Sequence, residues 1–312
     1  MKLLVTGYSG FVGKHLVDQL KKTEHELTLL GRKRPSENKQ IQFYNFSLGD
    51  SSPELQIASS IDVVIHCAAR AHIMKDEVDD PIAEYRRVNV AGTLALAELA
   101  YKNGAKRFIY LSSVKALGES TEEGHKFSYN SPHNAEDPYG QSKAEAEAAL
   151  IHYCETVGME YVIIRPPLVY GKGVKANFAS LYKLIGSGFP LPLAGIKSNR
   201  RSIVAIENLV DLILCCISHT NAKNQCFMVS DNVDLSTAEL IKLMAQAQGK
   251  RGWGVYVPNW CFSLIGKLFG KEDVIARLTG SLQVDISHTQ STLSWSPVMS
   301  TEDALKNMNG ID

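Results

Sequence analysis

Four groups of residues have types and spacings that could do chemistry. Tyr139 and Lys143 stand four apart in YGQSK, on one face of any helix that carries them. A free tyrosine titrates near pH 10, so it is a poor acid-base group at neutral pH. A cation one turn away stabilises the phenolate and lowers that value. Tyr-x-x-x-Lys pairs are also common on surfaces, so the pair alone decides nothing. Ser112 and Ser113 close an apolar run, 26 residues before Tyr139. A serine at the C-terminal end of a strand lies where open α/β sheets bind ligands, though either could instead cap a turn.

The third group is Thr6-Gly7-Tyr8-Ser9-Gly10-Phe11-Val12-Gly13. Its glycines follow a strand-like run and open a helical one. They permit a tight turn and a close backbone approach to a pyrophosphate, whose charge a helix N-terminus favours. At the first strand of the chain this points to dinucleotide binding rather than an ordinary βα turn. The fourth group is Arg32-Lys33-Arg34, where the second strand should end. NAD sites usually place an acid there for the ribose 2′-hydroxyl. Cations stand there instead, and Arg32 could grip a 2′-phosphate with two parallel hydrogen bonds. The expectation is NADP(H) in preference to NAD(H), against the plainer alternative of a solvated basic loop.

Strands and helices must hold these groups together. Lys2 to Thr6, Glu26 to Leu30 and Ile41 to Phe46 read as strands. Phe11, Val12, Leu16, Val17 and Leu20 share one helical face. Ile61 to His66 is continuously apolar, as for a strand covered on both faces. From Asp80 to Lys102 the residues Ile82, Tyr85, Val88, Leu96 and Leu99 recur at helical spacing, with Pro81 suited to the first turn. Arg107 to Leu111 reads as a strand, Tyr139 to Val157 as a helix and Tyr161 to Ile164 as a strand. The alternation predicts an α/β fold with a doubly wound parallel sheet, a Rossmann fold. After Arg165, proline and glycine crowd the chain and loops should dominate. A helix over Ile206 to Ile217, a strand over Cys226 to Val229 and a helix start at Thr301 to Ala304 follow. The expected division is a dinucleotide-binding domain over 1–165, with 203–230 returning to it. A smaller C-terminal substrate lobe would take 166–202 and 231–312.

Composition narrows the function classes. Lysine plus arginine and aspartate plus glutamate both total 33 in 312 residues, so the net charge is zero, which argues against nucleic-acid binding. With 45% hydrophobic and 21% charged residues, a disordered chain is excluded. No signal peptide and no membrane-length apolar run is read, so a cytoplasmic location is expected. The six cysteines form no C-x-x-C pair, which predicts reduced thiols and no metal site. His66 should lie in or beside the sheet. His72 and Lys75 read as loop residues, and 76–80 as a solvated acidic helix start. Trp253 to Phe269 reads as lobe core or a dimer contact.

Taken in order, the motifs resemble the extended short-chain dehydrogenase/reductase family, with its nucleotide-sugar epimerases, dehydratases and reductases. They are TGYSGFVG, His66-Cys67-Ala68-Ala69, Asn89-Val90-Ala91-Gly92-Thr93, LSSVKALGE, YGQSK and Arg165-Pro166-Pro167-Leu168-Val169-Tyr170-Gly171. The resemblance covers nearly the whole chain. It implies that Tyr139 is the acid-base residue, that Lys143 bonds the nicotinamide ribose and that Ser113 hydrogen-bonds the reacting oxygen. Gly7 to Gly13, Ala68, Ala69, Asn89 and Pro166 would border the cofactor, and Leu168 the sugar. Ser47-Leu48 stands where relatives hold adenine with Asp-Leu. Asn177 would contact a pyrophosphate, Leu191 a base, and Arg201 a phosphate, with Arg277 a second candidate. A homodimer through the helices near 80–102 and 139–157 is also implied.

The implied reaction is NADPH-dependent reduction of the C4 ketone of a UDP-4-keto-6-deoxy-N-acetylhexosamine, for lipopolysaccharide or other surface-polysaccharide precursors. The alternative is a UDP-hexose or UDP-N-acetylhexosamine 4-epimerase holding NAD tightly. A further alternative is a non-catalytic NADP(H)-binding sensor. Val114-Lys115 stands beside Ser113 where dehydratases carry acids, which counts against elimination.

Overall fold

The computed structural model describes residues 1–35, 40–49, 57, 60–70, 80–188, 190–251, 254–258, 261, 262, 270 and 272–309. Ten strands are seen among them: Lys2–Thr6 (β1), Glu26–Gly31 (β2), Gln42–Asn45 (β3), Val63–His66 (β4), Arg107–Leu111 (β5), Glu160–Arg165 (β6), Leu168–Tyr170 (β7), Arg201–Ala205 (β8), Gln225–Met228 (β9) and Asp234–Leu235 (β10). The site-forming helices are Phe11–Leu20 (α1), Pro81–Tyr85 (α2), Gly92–Lys102 (α3), Pro138–Val157 (α4), Ala176–Gly186 (α5), Ile206–Ser218 (α6) and Thr237–Ala247 (α7).

Seven strands form one sheet in the order β3-β2-β1-β4-β5-β6-β9, and every pairing in it is parallel. Alternate residues explain why each strand is apolar throughout. Leu3, Val5, Leu29, Val63, Ile65, Ile109, Val162 and Ile164 face a core shared with α1 and α6. Leu4, Leu30, Val64, Phe108, Tyr110 and Ile163 face a second core shared with α3 and α4. Both faces are covered, so the two-residue alternation of polarity is lost.

The chain leaves β1 toward β2 on one side and returns to β4 on the other. Ligands bind at such a switch, outside the carboxyl ends of the strands. The register pairs Thr6 with His66, His66 with Tyr110, and Leu111 with Ile164. Hence Gly7, Cys67 to Ala69, Ser112-Ser113 and Pro166 all leave the sheet at that one edge.

The helix expected over 80–102 is interrupted. Asp80 caps α2 by accepting from the Ala83 amide at 3.1 Å, and a turn of π-helix over Arg86–Ala91 joins α2 to α3. The loop-rich region after Arg165 holds a second sheet, β10-β8-β7, with its own core of Tyr170, Phe178, Ile203, Ala205, Leu235 and Met244. Leu282, Val284, Ile286, Leu293 and Trp295 pack into the α1–α6 core, and the Trp295 indole donates to Asp211 at 2.7 Å. No helix among the described residues is long and apolar enough to cross a membrane.

Candidate active site

Gly7 sits at φ +72°, a conformation glycine takes without strain, and a Cβ there would lie 2.5 Å from the Ala68 nitrogen. A Cβ on Gly13 would collide with the Gly7 carbonyl. Gly10 precedes α1 and no side chain caps that helix, while Ser9 and Gly10 are exposed. The missing side chains leave a shallow cradle at a helix N-terminus, which fits a pyrophosphate. Tyr8 turns the other way. It is buried, its hydroxyl donates to the Lys33 carbonyl, and its ring fills the space beside Gly31. Tyr8 thus ties the glycine turn to the end of β2, where Arg32 and Lys33 are exposed. Phe11 and Val12 pack against the core from the first turn of α1.

Ala68 and Ala69 leave β4 directly beside this turn, and the Ala68 amide donates to Thr6 Oγ1 at 3.3 Å. Asn89 is buried in the π-turn. Its amide oxygen accepts from Arg70 N at 2.8 Å, and its amide nitrogen donates to Arg70 O at 3.1 Å and Ser142 Oγ at 2.9 Å. Both its N–H donors and its carbonyl oxygen are engaged in tying the exit of β4 to α4. Ser47 and Leu48 follow β3, both half-buried, with Leu48 against Gly92. His66 lies wholly inside the sheet, between Thr6 Oγ1 at 2.6 Å and Thr93 Oγ1 at 3.0 Å. Burial, and then Lys143's charge, pull its pKa down to about 3.

Ser113 and Tyr139 meet. Asp137 caps α4 by accepting from the Gly140 amide at 2.6 Å, and Pro138 opens the helix. This places Tyr139 in the first turn, close enough to the Ser113 side chain for Ser113 to favour its phenolate. The Tyr139 ring packs edge-on against Tyr85, with centroids 6.1 Å apart. Pro166 is buried, and its carbonyl accepts from the Val114 amide at 3.0 Å, fixing the turn after Ser113.

Lys143 departs from the expected arrangement. Its buried ammonium donates to Leu111 O at 2.7 Å and Tyr110 Oη at 3.0 Å. It therefore sits against the end of β5, where burial lowers its pKa to about 7 although Glu147 and Cys67 oppose the fall. Tyr139 was expected to be lowered by this lysine. Instead burial, and then the Asp137 carboxylate, push it up to about 12, with the Ser113 side chain opposing. The tyrosine is a neutral phenol, ready to give a proton. Taking one requires a further positive charge beside it.

Sequence reasoning missed a buried anchor behind these residues. Glu147, one turn after Lys143, accepts from the Ser112 hydroxyl, from Arg165 Nη2 at 2.6 Å and from His133 Nε2 at 2.8 Å. The signal was present: a glutamate on the face of α4 that carries Lys143, and an arginine ending an otherwise apolar strand. A face with Lys and Glu four apart reads as solvated until β6 is placed beside it.

The lobe residues are more scattered. Leu168 and Asn177 are exposed, and Leu191 is buried. Leu191 lines a cavity of about 500 Å³ with Ala194, Lys197, Arg200 and Lys242. Arg201 is half-buried and donates to the Gly280 carbonyl at 3.2 Å. The side chain of Arg277 lies outside the described residues.

The profile of the NAD dependent epimerase/dehydratase family matches residues 3–229, which takes in the glycine turn, the serine and the Tyr139–Lys143 helix. The chain belongs to that family. It is 48% identical to a UDP-glucose 4-epimerase of Vibrio cholerae, over 97% of this chain and 93% of the relative. The fold matches a UDP-glucose 4-epimerase of Thermotoga maritima solved with UDP-glucose, at 23% identity and TM-score 0.78, covering 99% and 97% of the two chains. It also matches a UDP-glucuronic acid 4-epimerase of Bacillus cereus in complex with NAD, at 21% identity and TM-score 0.76, covering 98% and 97%. The expectation of a 4-keto reductase is corrected by the first of these. A relative this similar over nearly its whole length is named an epimerase. Ser113 and Tyr139 do not separate the two reactions, because both need a proton donor at the same oxygen. The family is described as NAD dependent, and the cradle at Gly7 to Gly13 fits a dinucleotide pyrophosphate.

Proposed function

We propose that the protein is a UDP-sugar 4-epimerase that works with a tightly held nicotinamide dinucleotide. The near-full-length kinship with the Vibrio epimerase carries this reading. When bound, the dinucleotide takes up the C4 hydrogen with its electron pair, returns it to the other face, and brings a positive ring to the site. With that positive charge opposing the burial and the Asp137 carboxylate that hold the phenol neutral, Tyr139 would first give up its own proton to solvent and then, as phenolate, take the proton of the C4 hydroxyl. Ser113 donates its hydroxyl hydrogen to the same oxygen while C4 is a ketone. Tyr139 would return the proton as C4 regains its hydrogen and electron pair, so no net oxidation occurs. Lys143 keeps one donor beyond those on Tyr110 and Leu111, which is proposed to hold the nicotinamide ribose. Arg201 and Asn177 are the proposed diphosphate contacts.

The test is interconversion of UDP-glucose with UDP-galactose, and of UDP-N-acetylglucosamine with UDP-N-acetylgalactosamine, followed by proton NMR. Equilibration of either pair, with no lasting change in cofactor absorbance, is expected. Protein loaded with dinucleotide that equilibrates neither pair would overturn the reading.

The preference for NADP(H) stays part of the proposal. No acid ends β2, and Arg32 is exposed there. Arg32→Asp should weaken NADPH binding at least about 10-fold while NADH binding holds or improves, since a charge-assisted contact is lost and repulsion is added. Fluorescence titration measures both. An unchanged ratio would mean that Arg32 does not read the 2′ position.

A further inference from the structure

We propose that Lys115 is a positioning residue that clamps the Ser113 turn to the Tyr139 helix and so sets the spacing of the Ser113 and Tyr139 side chains. The inference rests on the epimerase reading for the reaction, though not for the geometry. Lys115 lies in a single 3-10 turn, Val114–Ala116, and its backbone amide donates to Ser113 Oγ at 3.2 Å. Its ammonium reaches across to Asp137 Oδ2 at 2.6 Å and to Glu119 Oε1 at 2.7 Å. Asp137 is the cap of α4, its other oxygen held by the Gly140 amide at 2.6 Å. One carboxylate therefore joins the lysine to the first turn of the helix that carries Tyr139.

A second tie lies alongside. A Cβ on Gly140 would collide with the Lys115 carbonyl, so the backbones of turn and helix are in contact there. The Asn134 amide also donates to the Ala116 carbonyl at 3.3 Å. The contacts of Lys115 with Asp137 and Gly140 bracket Ser113 and Tyr139 within two residues of each. The ion pair is largely out of water, with 23% of the Lys115 side chain and 16% of Asp137 exposed, so solvent screens it less than a surface pair.

Charge matters as well as reach. The groups that act on the Tyr139 phenol are Asp137, Ser113, Tyr85 and Tyr110. Asp137 is the anion among them, and Lys115 balances it. Taking away the ammonium loosens the clamp and leaves the carboxylate less compensated beside the phenol. Both effects hinder the tyrosine as a base.

The experiment compares Lys115→Met, Lys115→Arg and wild type, each with tyrosine labelled with carbon-13 at Cζ. The Tyr139 signal is the one lost in Tyr139→Phe. Lys115→Met should move that signal and lower kcat about 10-fold or more, because small displacements at a reacting pair are costly. KM should change by less than about 2-fold, and the ascending limb of the kcat–pH profile should rise by about half a unit or more. Lys115→Arg should restore the signal and most of kcat. Asp137→Asn keeps a capping oxygen and should move the limb the opposite way, downward, and it serves if Lys115→Met does not fold. An unmoved Tyr139 signal with a wild-type pH profile in Lys115→Met overturns the proposal. So does a folded Lys115→Arg that rescues nothing. Lack of turnover in wild type would count against the epimerase reading alone, since the NMR signal reports the clamp without substrate.

Discussion

Tyr139→Phe is expected to lower epimerisation about 10³-fold while leaving dinucleotide binding nearly unchanged. General acid–base groups contribute about 10²–10⁴-fold, and here one hydroxyl must serve in both directions of the cycle. The substitution removes that oxygen only. The ring stays against Tyr85, and the helix stays capped by Asp137 with Pro138 in its first turn. Ser113 keeps its own bond to the Lys115 amide. Initial rates of UDP-sugar interconversion give the first number, and quenching of protein fluorescence by the dinucleotide gives the second. Loss of dinucleotide binding along with activity would place Tyr139 in the framework rather than at the reacting oxygen. A loss of activity under about 10-fold would assign the proton to another group.

The parts of the site that sequence reasoning reached are those set by local rules. The glycine spacing implies a tight turn and a close approach, and Gly7 and Gly13 meet both in the structure. The apolar runs foretold β1, β4, β5 and β6, because a strand covered on both faces has nowhere to put polar residues. Ser113 and Tyr139 meet because each stands at the beginning or end of such an element. Other features depend on contacts between distant segments. The π-turn over Arg86–Ala91 shifts the helical period by one residue, and over only six residues that shift does not stand out from the pattern. The strands β7 and β10 span three and two residues, too few for alternation to register. The direction of the Lys143 side chain depends on Tyr110 and Leu111, which lie 33 and 32 residues earlier. Spacing puts the lysine on the face of Tyr139 but says nothing of which partner claims the ammonium. The choice between reduction and epimerisation is subtler still, because the same serine and tyrosine serve both.

Glu147→Gln should destabilise the fold by about 3–5 kcal/mol at neutral pH, the usual effect of removing one member of a buried ion pair. The Glu147 side chain is wholly buried and that of Arg165 is 5% exposed, so water cannot replace the lost charge. Four segments converge on this carboxylate: the end of β5 at Ser112, the end of β6 at Arg165, α4 itself, and the loop that carries His133. Arg165 also donates to the Tyr129 carbonyl at 2.9 Å, so the same guanidinium holds that loop a second time. For a chain of this size the melting temperature should fall by about 5–10 °C. The pH dependence has a definite sign. Burial pushes the Glu147 carboxyl up, but hydrogen bonds from His133, Arg165 and Ser112, with Arg165's charge, outweigh it and leave the pKa below the ordinary 4.5. A depressed carboxylate contributes stability that is present in full above its unfolded value and is lost as pH falls through its folded value. The gap between wild type and Glu147→Gln should therefore be flat through neutral pH and close only in acid, below about pH 4.5. Calorimetric scans across that range measure it. A gap that already closes at neutral pH would show that Glu147 is not held as a paired carboxylate. The paired replacement Glu147→Leu with Arg165→Met should recover much of the lost stability, since well-packed apolar groups often match a buried ion pair. If that double variant melts like wild type yet turns over poorly, the pair serves to hold Ser112 and Ser113 in register with Tyr139.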